Sequence, residues 1–227
     1  MERLRFKVGV AVLLCVSVGV KISLSEEPSW AERAELLEFH KKIRENVRPT
    51  AADMRVLSYS YDMQQEAENW VRKCTKEFPE PNKDPKYFQT VATMPISTNA
   101  KPPTVMEMTN MWVAEKKLYN YNTNSCSGQC LNYPRPLVIA TAIFTNNCNS
   151  NKFQLIWAHS TSFGCAKKKC DGKLTKDKKP FYIFSCAYEV ALLPDGEKPY
   201  LEGGSCSQCP ERSTCHRHQC LQASKSR

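Results

Sequence analysis

The chain has 227 residues, 24% of them charged and 41% hydrophobic, with twelve cysteines and a formal net charge of +9. That length supports one ordinary domain with a real core plus a small appendage. A basic, cysteine-rich chain behind an export-type leader points away from nucleic acid and towards acidic extracellular partners, such as anionic lipid head groups or glycans.

The leader comes first. Arg3, Arg5 and Lys7 precede an apolar run from Val8 to Val20, Lys21 ends it, and Ser23-Leu24-Ser25 offers small residues for cleavage. Residues 1–25 therefore read as a secretory signal peptide, too short in its apolar part to span a bilayer comfortably. The expected protein is secreted and extracellular, with no transmembrane segment. Removing residues 1–25 takes away four basic residues and one acid, so the net charge falls from +9 to +6. It also takes away Cys15 and leaves eleven cysteines, most of which an oxidising compartment pairs. Eleven is odd, so one thiol stays free or pairs with another molecule.

Trp30 to Val47 reads as a helix, with Leu36, His40, Ile43 and Val47 at helical spacing and Pro49 beyond its end. His40 lies on the apolar stripe, where the commoner reading is a core histidine hydrogen-bonded to backbone. A second helix is predicted over Tyr61 to Lys76, with Met63, Ala67, Trp70, Val71 and Cys74 on one face. Phe78 to Pro103 is rich in proline and reads as a long loop, with at most a strand turn near Tyr87 to Met94. Thr104 opens a third helix with Glu107 completing a capping box, and Val105, Met108, Trp112, Glu115 and Tyr119 form its stripe. Glu115 is then a second ionisable residue on an apolar stripe, unless it is an edge carboxylate that reaches solvent or a lysine such as Lys116.

Asn120 to Cys130 reads as a polar loop. Leu137 to Phe144 is an apolar, β-branched run, expected as a buried strand adding core, with a surface for a partner or lipid as the alternative. Gln154 to Trp157 reads as the end of a strand, followed by a turn and a second strand carrying Cys165 and Cys170. Asp171 to Pro180 is a lysine-rich loop. Phe181 to Val190 is apolar on both sides, as a central strand covered on both faces should be. From Gly203 the chain holds Cys206, Cys209, Cys215 and Cys220 with almost no apolar residues, so it depends on crosslinks. A zinc site using these cysteines with His216 and His218 is the minor alternative, because export favours disulfides.

Several of these pieces together resemble the CAP superfamily of cysteine-rich secretory, venom allergen-like and glioma pathogenesis-related-like proteins. They are Leu36-x-x-x-His40-x-x-x-Arg44, Pro49-x-Ala51-x-Asp53-Met54-x-x-Leu57, Ala67-x-x-Trp70-x-x-x-Cys74, Trp112-x-x-Glu115, Gln154-Leu155-Ile156-Trp157 with Gly164-Cys165, Tyr182-x-x-x-Cys186-x-Tyr188 and Cys206-Ser207-x-Cys209-Pro210. The resemblance implies an α+β fold: a three-layer α-β-α sandwich over residues 26–200, and a small disulfide-rich hinge module with a tail over 201–227. It implies the pairs Cys74–Cys170, Cys165–Cys186, Cys206–Cys215 and Cys209–Cys220. Cys126–Cys130 would close a local loop and leave Cys148 as the odd thiol.

The family gathers two His and two Glu in a cleft that can hold a divalent metal. By resemblance this chain keeps His40 and Glu115. A Gly-Glu-Asn segment is replaced at Ala92-Thr93-Met94, so Thr93 stands at a substituted position, and the second His is replaced by Asn151, or by Asn132 in another alignment. His159 lies too far along the chain to substitute. One imidazole and one carboxylate make a poor metal site, so no metal and no cofactor is expected. No Gly-x-Ser-x-Gly, His-Glu-x-x-His or phosphate-loop motif is present. The reading that follows is a non-enzymatic binding protein for lipid, sterol or an extracellular protein. A metal-dependent hydrolase and a receptor- or channel-directed effector are the alternatives.

Overall fold

The computed structural model describes residues 27–79, 87–97, 101–128, 135–136, 151–152, 155–189 and 197–223. In chain order the elements are α1 (Trp30–Glu45), β1 (Ser58–Tyr59), α2 (Tyr61–Val71), β2 (Tyr87–Pro95) and α3 (Val105–Val113). A 3-10 turn (Ala114–Leu118) prolongs α3. The short strands β3 (Tyr119–Asn120), β4 (Ser125–Cys126), β5 (Arg135–Pro136) and β6 (Asn151–Lys152) follow. The long strands β7 (Ser162–Cys170) and β8 (Phe181–Glu189) and the tail strands β9 (Ser213–His216) and β10 (Gln219–Gln222) complete the chain.

The main sheet has the order β1-β7-β8-β2, with β1 parallel to β7 and the other pairs antiparallel. Strand β8 is the centre. Tyr182, Phe184, Cys186 and Tyr188 enter one core with Leu36 and Phe39 of α1 and Val105, Met108 and Trp112 of α3. Phe181, Ile183 and Ala187 enter a second core with Ala67 and Val71 of α2. This is the three-layer sandwich, α1 and α3 on one face and α2 on the other. Trp112 stacks on Phe184 with ring centroids 5.3 Å apart, and burial of side chains this large contributes about 2–3 kcal/mol each.

Local chemistry starts the helices, at α3 as expected. Ser29 and Glu32 form a capping box on α1, and Thr104 and Glu107 form one on α3. Other expectations need correcting. Helix α2 ends at Val71, not Lys76, so Cys74 lies beyond it in the left-handed region (φ 49°). The loop expected over Phe78 to Pro103 contains the nine-residue strand β2, paired along its whole length with β8. Leu155 to Trp157 is not a strand: it is a fully buried run of turns. The strand expected over Leu137 to Phe144 lies outside the described residues.

That buried run is held by an arginine. Arg44, on the inner face of α1, is 1% exposed. Its Nη1 donates to the carbonyls of Leu155 (3.2 Å) and Trp157 (2.7 Å). Its Nη2 donates to those of Arg55 (2.7 Å) and Ala158 (3.3 Å). Irregular backbone buried in a core must find partners for its carbonyls, and here one guanidinium supplies them.

Four disulfides match the expected pairs: Cys74–Cys170, Cys165–Cys186, Cys206–Cys215 and Cys209–Cys220. Cys74–Cys170 spans 96 residues of sequence, and closing so long a loop stabilises by about 4–5 kcal/mol on a chain-entropy account. Cys126 is disulfide-bonded as well, while Cys130 and Cys148 lie outside the described residues.

The tail is docked, not loose. Val56 N donates to Cys220 O and Cys220 N to Met54 O, while Gln208 N donates to Ala52 O. The β9–β10 turn places Arg217 and His218 at positive φ, which usually calls for Asn-Gly. The cost is offset by Arg217, whose guanidinium donates to Glu38 (2.8 and 2.9 Å) and Glu45 (2.6 and 2.9 Å) on α1. Both carboxyls are held below the usual range chiefly by these hydrogen bonds.

Helix α2 lies so close to β7 that a Cβ at Gly164 would overlap Gln64 N and Ser60 O, both backbone atoms. Gly164→Ala should cost about 3 kcal/mol or more in urea unfolding, whereas Gly204→Ala, whose Cβ would meet only Ser207 at ordinary contact distance, should change stability by less than about 0.5 kcal/mol. Equal stability of the two variants would contradict this packing.

Candidate functional site

His40 is 0% exposed. Its Nδ1–H donates to Leu36 O at 2.7 Å, one turn earlier in α1, and its Nε2 accepts from the Tyr188 hydroxyl at 3.0 Å. The ring lies 4.0 Å from the Phe163 ring centroid. Burial pushes its pKa down to about 3, the backbone hydrogen bond opposes the shift, and Arg44 adds to it. Burial also pushes the Tyr188 hydroxyl up. His40 is therefore a neutral imidazole with both nitrogens engaged. It offers no lone pair to a metal and lines no open cleft. Its reading as a cleft remnant is corrected to that of a core histidine, the bland alternative its place on the apolar stripe already carried.

The other expected positions lie on separate elements. Glu115 is half-buried on the 3-10 turn that follows α3. Thr93 is half-buried on β2, opposite Ile183 of β8. Asn151 belongs to β6, opposite Pro136, and Asn132 lies outside the described residues. His159 sits in a turn, its Nε2 3.5 Å from Asp53 Oδ2, while Asp53 Oδ1 accepts from Leu201 N.

Among the described residues, one group of three or more potential metal ligands is close-packed: Cys206, Cys209 and Cys220. All three sulfurs are already in disulfides, so the zinc reading of the tail has no thiolates to use.

The feature that sequence reasoning missed is a groove of about 630 Å³ between α1 and α3. Phe39 and Ile43 of α1 face Met106 and Val113 of α3 across it, with Lys42 and Lys116 at its edges. A signal was present. Phe39 and Ile43 lie four apart on α1, and Met106 and Val113 seven apart on α3, so each pair shares one side of its helix.

The neutral histidine has a measurable consequence. An unfolded chain binds a proton at His40 below about pH 6.5, whereas the folded one does not until about pH 3. The stabilisation is thus complete above pH 6.5 and is lost on acidification through that window, at about 1.4 kcal/mol per pH unit. Between pH 7 and 5, His40→Gln should remove about 2 kcal/mol of the fall in unfolding free energy seen in the unmodified protein. An unchanged pH dependence would contradict the neutral assignment.

The comparisons with known proteins agree with the fold. The model of the CAP family, described as the cysteine-rich secretory protein family, matches residues 37–188. GLIPR1-like protein 1 of Bos taurus is 29% identical over 196 residues, covering 82% of this chain and 69% of that protein. Peptidase inhibitor 16 of Homo sapiens is 26% identical over 211 residues, covering 92% of this chain and 39% of that protein. Among solved structures, the hookworm platelet inhibitor superposes with a TM-score of 0.58 at 19% identity, covering 88% of this chain and 96% of its own. NaASP2, solved with Zn2+, also gives 0.58 at 19% identity, covering 85% and 96%. At such identities these structures speak to the fold alone. With the three layers, the disulfide framework and a family match across most of the described core, the chain belongs to the CAP, or cysteine-rich secretory protein, family.

Proposed function

We propose that the protein is exported after removal of residues 1–25 and acts as a non-enzymatic binding protein. Residues 26–200 form the binding domain, and 201–227 form the cysteine-rich module docked on it. The ligand class is a lipid with an extended apolar body and a polar or anionic head, such as a fatty acid or a sterol. One observation carries this reading: the groove between α1 and α3, about 630 Å³, with Phe39, Ile43, Met106 and Val113 as its apolar wall. That volume lies within the range of small-molecule sites, whose walls are mostly apolar with a few placed polar groups. Lys42 and Lys116 are among its lining residues and can meet a carboxylate head, while Glu38, also in the lining, is engaged by Arg217.

Against catalysis stands the commitment of His40, whose two nitrogens are both hydrogen-bonded inside the core. Two relatives are named peptidase inhibitors, and that activity is theirs.

Displacement of a fluorescent fatty acid from the secreted protein tests the reading. The unmodified protein should bind it at micromolar concentration, equally with zinc or with chelator. Met106→Glu with Val113→Glu, both at half-buried positions, should weaken binding about tenfold or more by charging the apolar wall. Absence of binding, or affinity untouched by the double variant, would refute the groove as the lipid site.

A further inference from the structure

The excess charge of the chain is concentrated in one place. Residues 167–179, the end of β7 and the turn into β8, hold seven lysines and two aspartates, a net of +5. The chain beyond residue 25 carries +6 in all, so the remainder is nearly neutral. Neither the disulfide framework nor the groove accounts for this segment.

The segment is tied down at its base and at its tip. Cys74–Cys170 fixes its base to the chain beyond α2. Gly172 takes φ 79°, Thr175 N donates to Gly172 O, and Lys178 N donates to Thr175 O, so the tip is a sequence of tight turns. Both aspartates are engaged: Asp177 with Lys76 Nζ at 2.6 Å and Thr175 Oγ1 at 2.8 Å, Asp171 with Lys173 Nζ at 3.2 Å. Lys169, Lys173, Lys176, Lys178 and Lys179 are exposed around that tip. Between them stands Leu174, 77% exposed, one of the most exposed large apolar side chains among the described residues.

We infer that the β7–β8 tip is a docking surface for an anionic phospholipid bilayer, with the lysines on the head groups and Leu174 inserted at the head-group boundary. Clustered lysines near an anionic surface add their attractions within a Debye length. A sulfated glycan would satisfy the lysines equally, but it offers nothing to a leucine held out on a rigid turn. A bilayer offers both a charged plane and an apolar layer beneath it. This surface is distinct from the α1–α3 groove and does not depend on whether that groove takes a lipid.

Vesicle co-sedimentation of the full secreted protein in about 150 mM salt tests the inference. Vesicles of phosphatidylcholine with about 30% phosphatidylserine should retain it, and vesicles of phosphatidylcholine alone should not. Lys176→Glu, Lys178→Glu and Lys179→Glu combined should lower partitioning by about tenfold or more. Leu174→Ser, which leaves every charge in place, should lower it several-fold. All four residues are exposed, and an unchanged melting temperature confirms that the variants remain folded. No preference for the anionic vesicles would overturn the inference, as would binding indifferent to the charge reversals. Retention on a heparin column that needs the lysines, together with vesicle binding that ignores Leu174→Ser, would also overturn it and assign the surface to a glycan.

Discussion

Arg44 is the interaction on which the arrangement rests. It is fully buried, and its guanidinium is spent on main-chain carbonyls. Removing such an ion from water costs several kcal/mol, and burial pulls its pKa down to about 9, with Asp53 and Tyr188 opposing the shift. It remains protonated at neutral pH, so the cost is met while charged. In return one side chain joins three parts of the chain: helix α1, the backbone at Arg55, and the buried turns from Leu155 to Ala158. Those turns carry Leu155, Ile156, Trp157 and Ala158 into the core without a sheet to pair their backbone. No apolar residue at position 44 could fill the same place, because the carbonyls would remain buried and unmatched.

The same helix explains how the family scaffold persists here without an exposed histidine on α1. The inner face of α1 is occupied by Leu36, His40 and Arg44, one turn apart, each committed to packing or hydrogen bonding. Its tail-facing side is held by Glu38 and Glu45 through Arg217, and by Lys41 O, which accepts from Gln219 Nε2. Towards α3 a groove lies between the helices, lined by Phe39, Ile43, Met106 and Val113. A helix fixed on two sides presents its third as a preorganised wall, which lowers the ordering cost of binding. The geometry therefore supports recognition by shape and apolar surface more than chemistry at a charged centre.

Much of this was legible in the residues, for reasons that can be named. Periodicity located α1 and α3, and a capping box the start of α3, because both signals are local. Strand β8 announced its central place by being apolar on both sides, and the two cores divide its residues as the alternation demands. What failed was decided by tertiary context. Strand β2 lies among prolines with no clear alternation, and β8 beside it supplies the ladder that makes it a strand. The run from Leu155 to Trp157 looks like a strand because a short apolar run has no periodicity of its own; an arginine more than a hundred positions earlier makes it a turn. The imidazole of His40 could be placed on an apolar stripe, but the Tyr188 hydroxyl that occupies its second nitrogen comes from the far end of the domain.

Equilibrium unfolding of variants at position 44 tests this account most directly. Arg44→Met and Arg44→Lys should each lose about 4 kcal/mol or more, a large share of a single domain's stability, since neither can supply the fork of donors that the buried carbonyls require. An Arg44→Lys protein as stable as the original would show that charge alone suffices there. An equally stable Arg44→Met protein would show that the buried turns hold themselves, and would contradict the account.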